Sequence, residues 1–89
     1  MIQKQWLKLT KHDQLLMIGS EILHANFWQK RDPERFKIAI TRTSPLIDFS
    51  LEDPKWQEDR YVLSALQEEL EKFQNGTRID PIEILYQTL

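Results

Sequence analysis

Glu21 and His24 are spaced as metal ligands would be on a helix. Residues three apart lie on one helical face, and a Glu-x-x-His pattern supplies ligands to the metal centres of di-iron helical bundles. Those centres need a second copy of the pattern and further glutamates, all pointing inward. This sequence has one copy, and a helical projection turns it away from the apolar side. We therefore expect no metal and no cofactor.

Asn26 and Asp59 are polar residues at positions where the helical pattern predicts a core. A buried amide without a hydrogen bond costs about 1–3 kcal/mol, and a buried carboxylate must find a cation or donors, or take up a proton. Two interpretations stay open. Either Asn26 bonds a neighbouring helix end and Asp59 pairs with a Lys or Arg, or the two form a buried polar pair that binds a small ligand or serves an enzyme.

Other catalytic patterns are missing from the sequence. The serines lie outside any Gly-x-Ser-x-Gly context, there is no Gly-rich loop that could cradle a phosphate, and there are no cysteines. We predict no catalytic residue, and an enzyme is the less favoured alternative.

One face of the first long helix carries the candidate interface. It consists of Met17, Glu21, His24 and Trp28. A Met and a Trp on an outer face, rimmed by charge, are typical of a patch that binds a partner. In the alternative, residues 1–9 or the last helix cover this patch.

The elements that carry these residues follow from composition and from helix-start signals. A chain of 89 residues with 40% hydrophobic residues, 29% charged residues and only two glycines is typical of a single all-α domain, which we place at 1–89. An Asp N-cap accepts hydrogen bonds from first-turn amides, and Pro suits the next position. Such steps occur at Asp32-Pro33, Asp53-Pro54 and Asp80-Pro81, and Thr10 with Asp13 predicts a fourth start.

We predict helices at about 11–31, 33–51 and 54–75, and a short fourth helix at about 81–88. Asn75-Gly76 is a typical helix stop. Short connections between helices of similar length predict a small antiparallel bundle. Residues 1–9 form an arm or a short helix, in which Ile2, Trp6 and Leu9 are spaced to cover one end of the core.

Pro45 lies inside the second predicted helix, where it removes a hydrogen bond at a cost of about 3 kcal/mol unless the helix kinks. Because the apolar spacing continues to Leu51, a kink near Pro45 is favoured over a break with Ser44 as a new cap. The same helix is apolar on two sides, which predicts a central position among its neighbours.

The helical projection also assigns a core side to the first and third helices. In the first helix, a glycine on this side would allow a neighbouring helix to approach closely. The predicted core residues are Leu15, Leu16, Gly19, Ile22, Leu23 and Phe27 in the first helix, with Ile18 at the edge of this side, and Trp56, Val62, Leu63, Leu66, Leu70 and Phe73 in the third.

The charge is unevenly distributed along the chain. Residues 1–44 carry eight Lys or Arg against four Asp or Glu, and residues 45–89 carry four against ten. Either the two halves pack together in one domain, or they mediate head-to-tail or two-fold association between chains.

Five cations near the start of the second helix leave a nucleic-acid accessory role as a further alternative, although the chain is acidic overall. They are Lys30, Arg31, Arg35, Lys37 and Arg42.

The sequence thus predicts a non-enzymatic helical module that binds another protein or itself, for example as a homodimer. The missing cysteines and signal peptide predict a cytoplasmic location, and no apolar run is long enough for a membrane span. No family is recognised. The chain resembles small bacterial helical-bundle proteins only in general style, without a shared motif.

Overall fold

The computed structural model describes residues 3–89, which form five α-helices and one 3-10 turn and contain no strand. The predicted all-α class is confirmed. The elements are α1 (Gln3–Trp6), α2 (Lys11–Gln29), α3 (Pro33–Leu51), the 3-10 turn (Pro54–Trp56), α4 (Arg60–Gln74) and α5 (Glu83–Gln87).

Two of the predicted helix starts form as the sequence indicates. The Thr10 hydroxyl accepts a hydrogen bond of 3.1 Å from the Asp13 amide at the start of α2. The Asp32 carboxylate accepts bonds of 3.1 and 3.2 Å from the amides of Glu34 and Arg35 at the start of α3. These bonds satisfy amides that have no partner within the helix, and α3 occupies the range predicted for it.

Helix α3 continues through Pro45. The alternative in which the helix breaks and restarts at Ser44 is therefore wrong. The residues on either side of the proline explain the continuity, since Ile40, Thr43 and Ile47 are buried on one face of the helix at 2%, 0% and 0% exposure. Their burial offsets the loss of one backbone hydrogen bond.

The third predicted helix, 54–75, is wrong at its start. Asp53 does cap the chain, because its carboxylate accepts a bond of 3.0 Å from the Lys55 amide, but the capped element is the 3-10 turn. The Trp56 indole donates a bond of 2.6 Å to Gln14 inside the core, and this tertiary contact overrides the local helical pattern. At the other end Gly76 has a φ of 81°, which stops α4 as predicted.

The predicted cap at Asp80 is also wrong. Helix α5 begins at Glu83 without a side-chain cap. The Asp80 carboxylate instead accepts two hydrogen bonds from the Arg78 guanidinium, at 2.7 and 2.9 Å. A bidentate bond between two charged groups is stronger than a bond to a neutral amide, so the Asp80 carboxylate binds Arg78 and does not cap a helix.

Helix α3 is central, as predicted, and contacts α1, α2 and α4. Its contacts with α4 run in opposite order along the two helices, because Asp48 accepts from Gln67 whereas the earlier Thr41 accepts from Gln74. The core between the helices is formed by Trp6, Ile18, Ile22, Ala25, Phe36, Ala39, Ile40, Ile47, Trp56, Leu63, Leu66, Leu70, Phe73, Ile82 and Leu85.

Residues of the arm and of α5 close the two remaining sides. Trp6 is fully buried and Leu9 packs against the core, while Ile2 lies outside the described residues. At Gly19 of α2 an added Cβ would lie 2.9 Å from the Tyr86 ring of α5, so the close approach predicted there is confirmed. None of the helices formed by residues 3–89 has the length and apolar character needed to cross a bilayer.

Candidate functional site

A buried polar cluster lies on the inner side of α2, at the end nearest the arm. The Gln14 amide nitrogen donates to the Trp6 carbonyl and to the Asp53 carboxylate, both at 3.0 Å. Its oxygen accepts from the Trp56 indole, and the Trp6 indole donates to Ser50 at 2.9 Å. The cluster joins α1, α2, α3 and the 3-10 turn.

Asp53 is the charged member of this cluster and is 3% exposed. Burial raises the pKa of Asp53, but hydrogen bonds from Gln14 and Lys55 outweigh it, and the pKa lies below its ordinary value. The Lys55 ammonium, 2.9 Å away, neutralises the charge. Because these side chains satisfy one another, the cluster stabilises the fold and leaves no free acid or base for catalysis.

Gln14 was not among the residues predicted to lie in the core or in a functional site. It is polar, yet it lies on the same helical face as Ile18, Ile22 and Ala25, and all four are buried. That spacing of four, four and three residues was the available signal. The face was not recognised because a second apolar face of α2 gave a similar pattern.

The predicted core side of α2 is therefore wrong for three residues. Leu16, Leu23 and Phe27 are 52%, 40% and 48% exposed, whereas Ile18, predicted at the edge, is fully buried. Helix α2 has apolar residues on two sides, and the side that packs against α3 is decided by complementary partners rather than by the number of apolar residues.

We name the outer row of Leu16, Ser20, Leu23 and Phe27 the α2 stripe. These residues alternate in steps of four and three, which keeps them on one side of the helix. Tyr86 of α5 is 41% exposed and lies beside the stripe. With Leu16 it lines a depression of about 300 Å³ between α2 and α5.

The predicted interface residues do not form an exposed outer face. Met17 and Trp28 are half-buried and pack against the core, and Glu21 is half-buried as well. His24 is exposed. Trp28 and His24 line a groove between α2 and α3, so this row borders α3 instead of pointing away from the bundle.

Asn26 and Asp59 lie apart, and neither is fully buried. Asp59 forms an ion pair with Lys11 at the start of α2, which matches the expected pairing with a cation from the basic half. Asn26 borders Gln29 and Pro81 near the end of α2. At 1.5 Å per residue, Asn26 is roughly 20 Å further along the helix than Lys11, so Asn26 and Asp59 do not form the predicted polar pair.

The predicted cations around the start of α3 are exposed, and two of them stack on aromatic rings. The Arg31 guanidinium lies 4.3 Å from the Phe27 ring centre and that of Arg35 lies 4.5 Å from the Trp28 ring centre. Among residues 3–89, no three His, Asp or Glu side chains are grouped so that they could hold a metal ion.

No protein-family model matches this chain, and neither a curated protein nor a solved structure is significantly similar to it. The geometry of the surface must therefore carry any functional conclusion. Two features of the surface are candidates for binding. They are the α2 stripe on the outer side of α2 and the groove between α2 and α3.

Proposed function

We propose that this protein is a non-enzymatic helical module that associates with a second copy of itself through the α2 stripe. The observation that carries the proposal is the exposure of large apolar side chains in one row. Leu16, Leu23 and Phe27 are 40–52% exposed, and Tyr86 extends the apolar surface onto α5. A row of exposed apolar side chains of this kind is typical of a protein–protein interface.

The spacing of the stripe favours a helix as the partner. Steps of four and three residues form the seam of two-helix coiled coils, in which each apolar side chain enters a gap on the facing helix. The stripe lies opposite the buried face formed by Gln14, Ile18, Ile22 and Ala25. A partner helix can therefore pack on it without disturbing the core.

The positions of the stripe also favour a second copy as that partner. They are symmetric about a point midway between Ser20 and Leu23. In a two-fold, antiparallel arrangement, Leu16 of one copy faces Phe27 of the other, and the small Ser20 faces the larger Leu23. Such an interface uses the same surface on both copies and closes after two chains.

Charges beside the stripe fit the same arrangement. Asp13 lies in the first turn of α2, and Arg31 lies two residues past the end of this helix, so the two charges flank the stripe at its opposite ends. Both are exposed, and the Arg31 guanidinium is held over the Phe27 ring. In the antiparallel pair, Asp13 of one copy comes beside Arg31 of the other, and symmetry makes two such ion pairs.

The proposal is tested by sedimentation equilibrium between about 10 µM and 1 mM. One helix pair buries less than a standard interface of about 1,600 Å², so we expect a dissociation constant in the micromolar range or weaker. Leu23→Asp places two carboxylates at the centre of the interface and is expected to give a monomer. Ile79→Asp changes an equally apolar side chain that is 85% exposed and is expected to leave association unchanged.

Thermal unfolding of both variants shows whether they remain folded. A wild-type chain that stays monomeric up to about 1 mM, the upper limit for a weak interface of this size, would overturn the proposal. Equal association of the wild type and a folded Leu23→Asp variant would overturn it as well.

A cytoplasmic location remains part of the proposal, resting on the absence of cysteines in the sequence.

A further inference from the structure

The groove between α2 and α3 has a volume of about 250 Å³ and combines cations with an aromatic wall. It is lined by His24 and Trp28 from α2 and by Arg35, Ile38, Ala39 and Arg42 from α3. No residue of the α2 stripe lines it, so a ligand bound in the groove would not depend on the proposed self-association.

The aromatic wall of the groove is held in place on several sides. Phe27 packs edge-on against Trp28 with ring centres 4.8 Å apart, and Arg35 lies over the indole. Arg35 is therefore already engaged by the indole, and its side-chain nitrogen also lies 3.6 Å from the Asp32 carboxylate. These contacts give the groove a flat, preorganised side.

Arg42 is the cation that remains free to bind a ligand. It is exposed, and within residues 3–89 no carboxylate lies within ion-pair distance of it. Glu21 is on the same face of α2, one turn before His24, but it is not among the residues that line the groove. The lining contains two arginines and no carboxylate.

The apolar part of the groove lies between the two arginines. Ile38 is 52% exposed there, and the buried Ala39 lines the groove beside it. Arg35 and Arg42 are seven residues apart on one face of α3, about 10 Å along the axis. A flat ring placed on Ile38 would thus have a guanidinium at its end.

We propose that the α2–α3 groove binds a small organic anion in which a carboxylate or a phosphate is attached to a flat ring. Arg42 holds the anionic group, because a guanidinium presents two parallel donors to such an oxyanion. The ring packs on Ile38 against the Trp28 indole. The volume is slightly below the usual range for ligand pockets, which favours a ligand of one ring.

The test uses the indole N–H resonances of the three tryptophans in ¹H–¹⁵N NMR spectra. The indoles of Trp6 and Trp56 donate to buried acceptors and serve as internal references, whereas Trp28 lines the groove. Phenyl phosphate and benzoate are titrated in parallel, with phenol and inorganic phosphate as the two halves of the ligand. We expect one of the aromatic anions to shift the Trp28 resonance with a dissociation constant on the order of 1 mM, as befits so small a ligand.

Variants of two exposed cations on α3 separate a specific site from general charge attraction. Arg42→Gln is expected to weaken binding about tenfold, and Arg42→Lys to restore only part of it because the paired donors are lost. Lys37→Gln removes the same charge from a residue that does not line the groove, and is expected to change binding by less than about twofold.

Three results would overturn the inference. The first is a Trp28 resonance that does not move with either aromatic anion at about 20 mM, well above the expected dissociation constant. The second is equal weakening by Arg42→Gln and Lys37→Gln. The third is an equal response to inorganic phosphate alone, which would show an ion at a basic surface rather than a ligand in the groove.

Discussion

The inner and the outer side of α2 differ in a way that residue polarity alone does not predict. Gln14, on the inner side, is fully buried, whereas Leu16, two residues further on, is 52% exposed. On the inner side α1, the 3-10 turn and the Asp53 carboxylate that caps this turn supply partners for every polar group of Gln14. The outer side is apolar, and about half of each large side chain remains in contact with solvent.

This difference shows that burial follows from the partners a side chain can find. A buried amide is tolerated when its hydrogen bonds are made, since the large cost arises from donors and acceptors left without a partner. An exposed leucine gives up part of the roughly 1.5–3 kcal/mol that complete burial would contribute. Packing of a second copy on the outer side would recover this contribution.

The largest expected effect comes from breaking the inner side. Gln14→Ala removes two donated bonds and one accepted bond, and it leaves the Trp56 N–H and the Asp53 carboxylate with fewer partners. We expect the free energy of unfolding, measured by urea titration at low protein concentration, to fall by about 3–5 kcal/mol.

Leu16→Ala is the matched control for Gln14→Ala on the outer side. It removes an apolar side chain that is already half exposed, so we expect a loss below about 1 kcal/mol when the protein is dilute enough to be monomeric. If the leucine variant lost as much stability as the glutamine variant, the outer side would be contributing to the core, and the contrast between the two sides would be wrong.

Much of the helical architecture was predictable because helix starts are local. The caps at Thr10 and Asp32 need only the next three residues, and the stop at Gly76 needs only a glycine that can adopt a positive φ. These signals placed α3 over 33–51 and ended α4 correctly. They failed where another group competed with the local pattern. The Arg78 guanidinium, two residues before Asp80, binds the Asp80 carboxylate, and the Trp56 indole binds the distant Gln14 inside the core.

The candidate site was less predictable because it depends on which side of α2 faces α3. Both sides have apolar residues at helical spacing, so the periodicity favours neither. The decision rests on the hydrogen bonds of Gln14 to Trp6, Asp53 and Trp56, whose positions are fixed only in the folded chain. The buried side of α2 is rotated by about 100° around the helix axis from the predicted side. Met17 and Trp28 therefore lie toward α3, and Leu23 and Phe27 lie on the outside.

Charge reversals at the two ends of the α2 stripe test whether the outer side of α2 binds a second copy in the proposed antiparallel arrangement. Asp13→Arg and Arg31→Asp each replace two proposed ion pairs between copies with two like-charge contacts. Each is expected to weaken association about tenfold in sedimentation equilibrium, because exposed pairs contribute about 0.2–1 kcal/mol each. The double variant restores opposite charges and is expected to associate nearly as well as the wild type.

The rescue in the double variant is what identifies the antiparallel register. Glu71→Arg, an exposed substitution on α4 with the same change in net charge as Asp13→Arg, is the control for that variant and is expected to have little effect. If both single variants weakened association and the double variant did not recover it, the copies would associate in another register. The proposed self-association would then stand on the Leu23→Asp result alone.

The smallest effect concerns the charge on the inner side. The pKa of Asp53 is lower in the folded protein than its ordinary value of 3.8, so its ionised form stabilises the fold above that value, and this stabilisation is lost as the pH falls through the lower, folded pKa. Asp53→Asn keeps the shape but not the charge. The difference in unfolding free energy between the wild type and the variant, measured by urea titration, is expected to be largest near pH 7 and to shrink below about pH 4.

Asp80→Asn is the companion measurement, because hydrogen bonds from Arg78 lower the pKa of Asp80 as well. The Asp80 side chain is 40% exposed, and solvent screens an exposed pair, so its removal is expected to change the acid dependence less than Asp53→Asn does. The reverse order would mean that the charge of Asp53 adds little to its cluster. The inner side of α2 would then be held by the neutral hydrogen bonds of Gln14, Trp6 and Trp56.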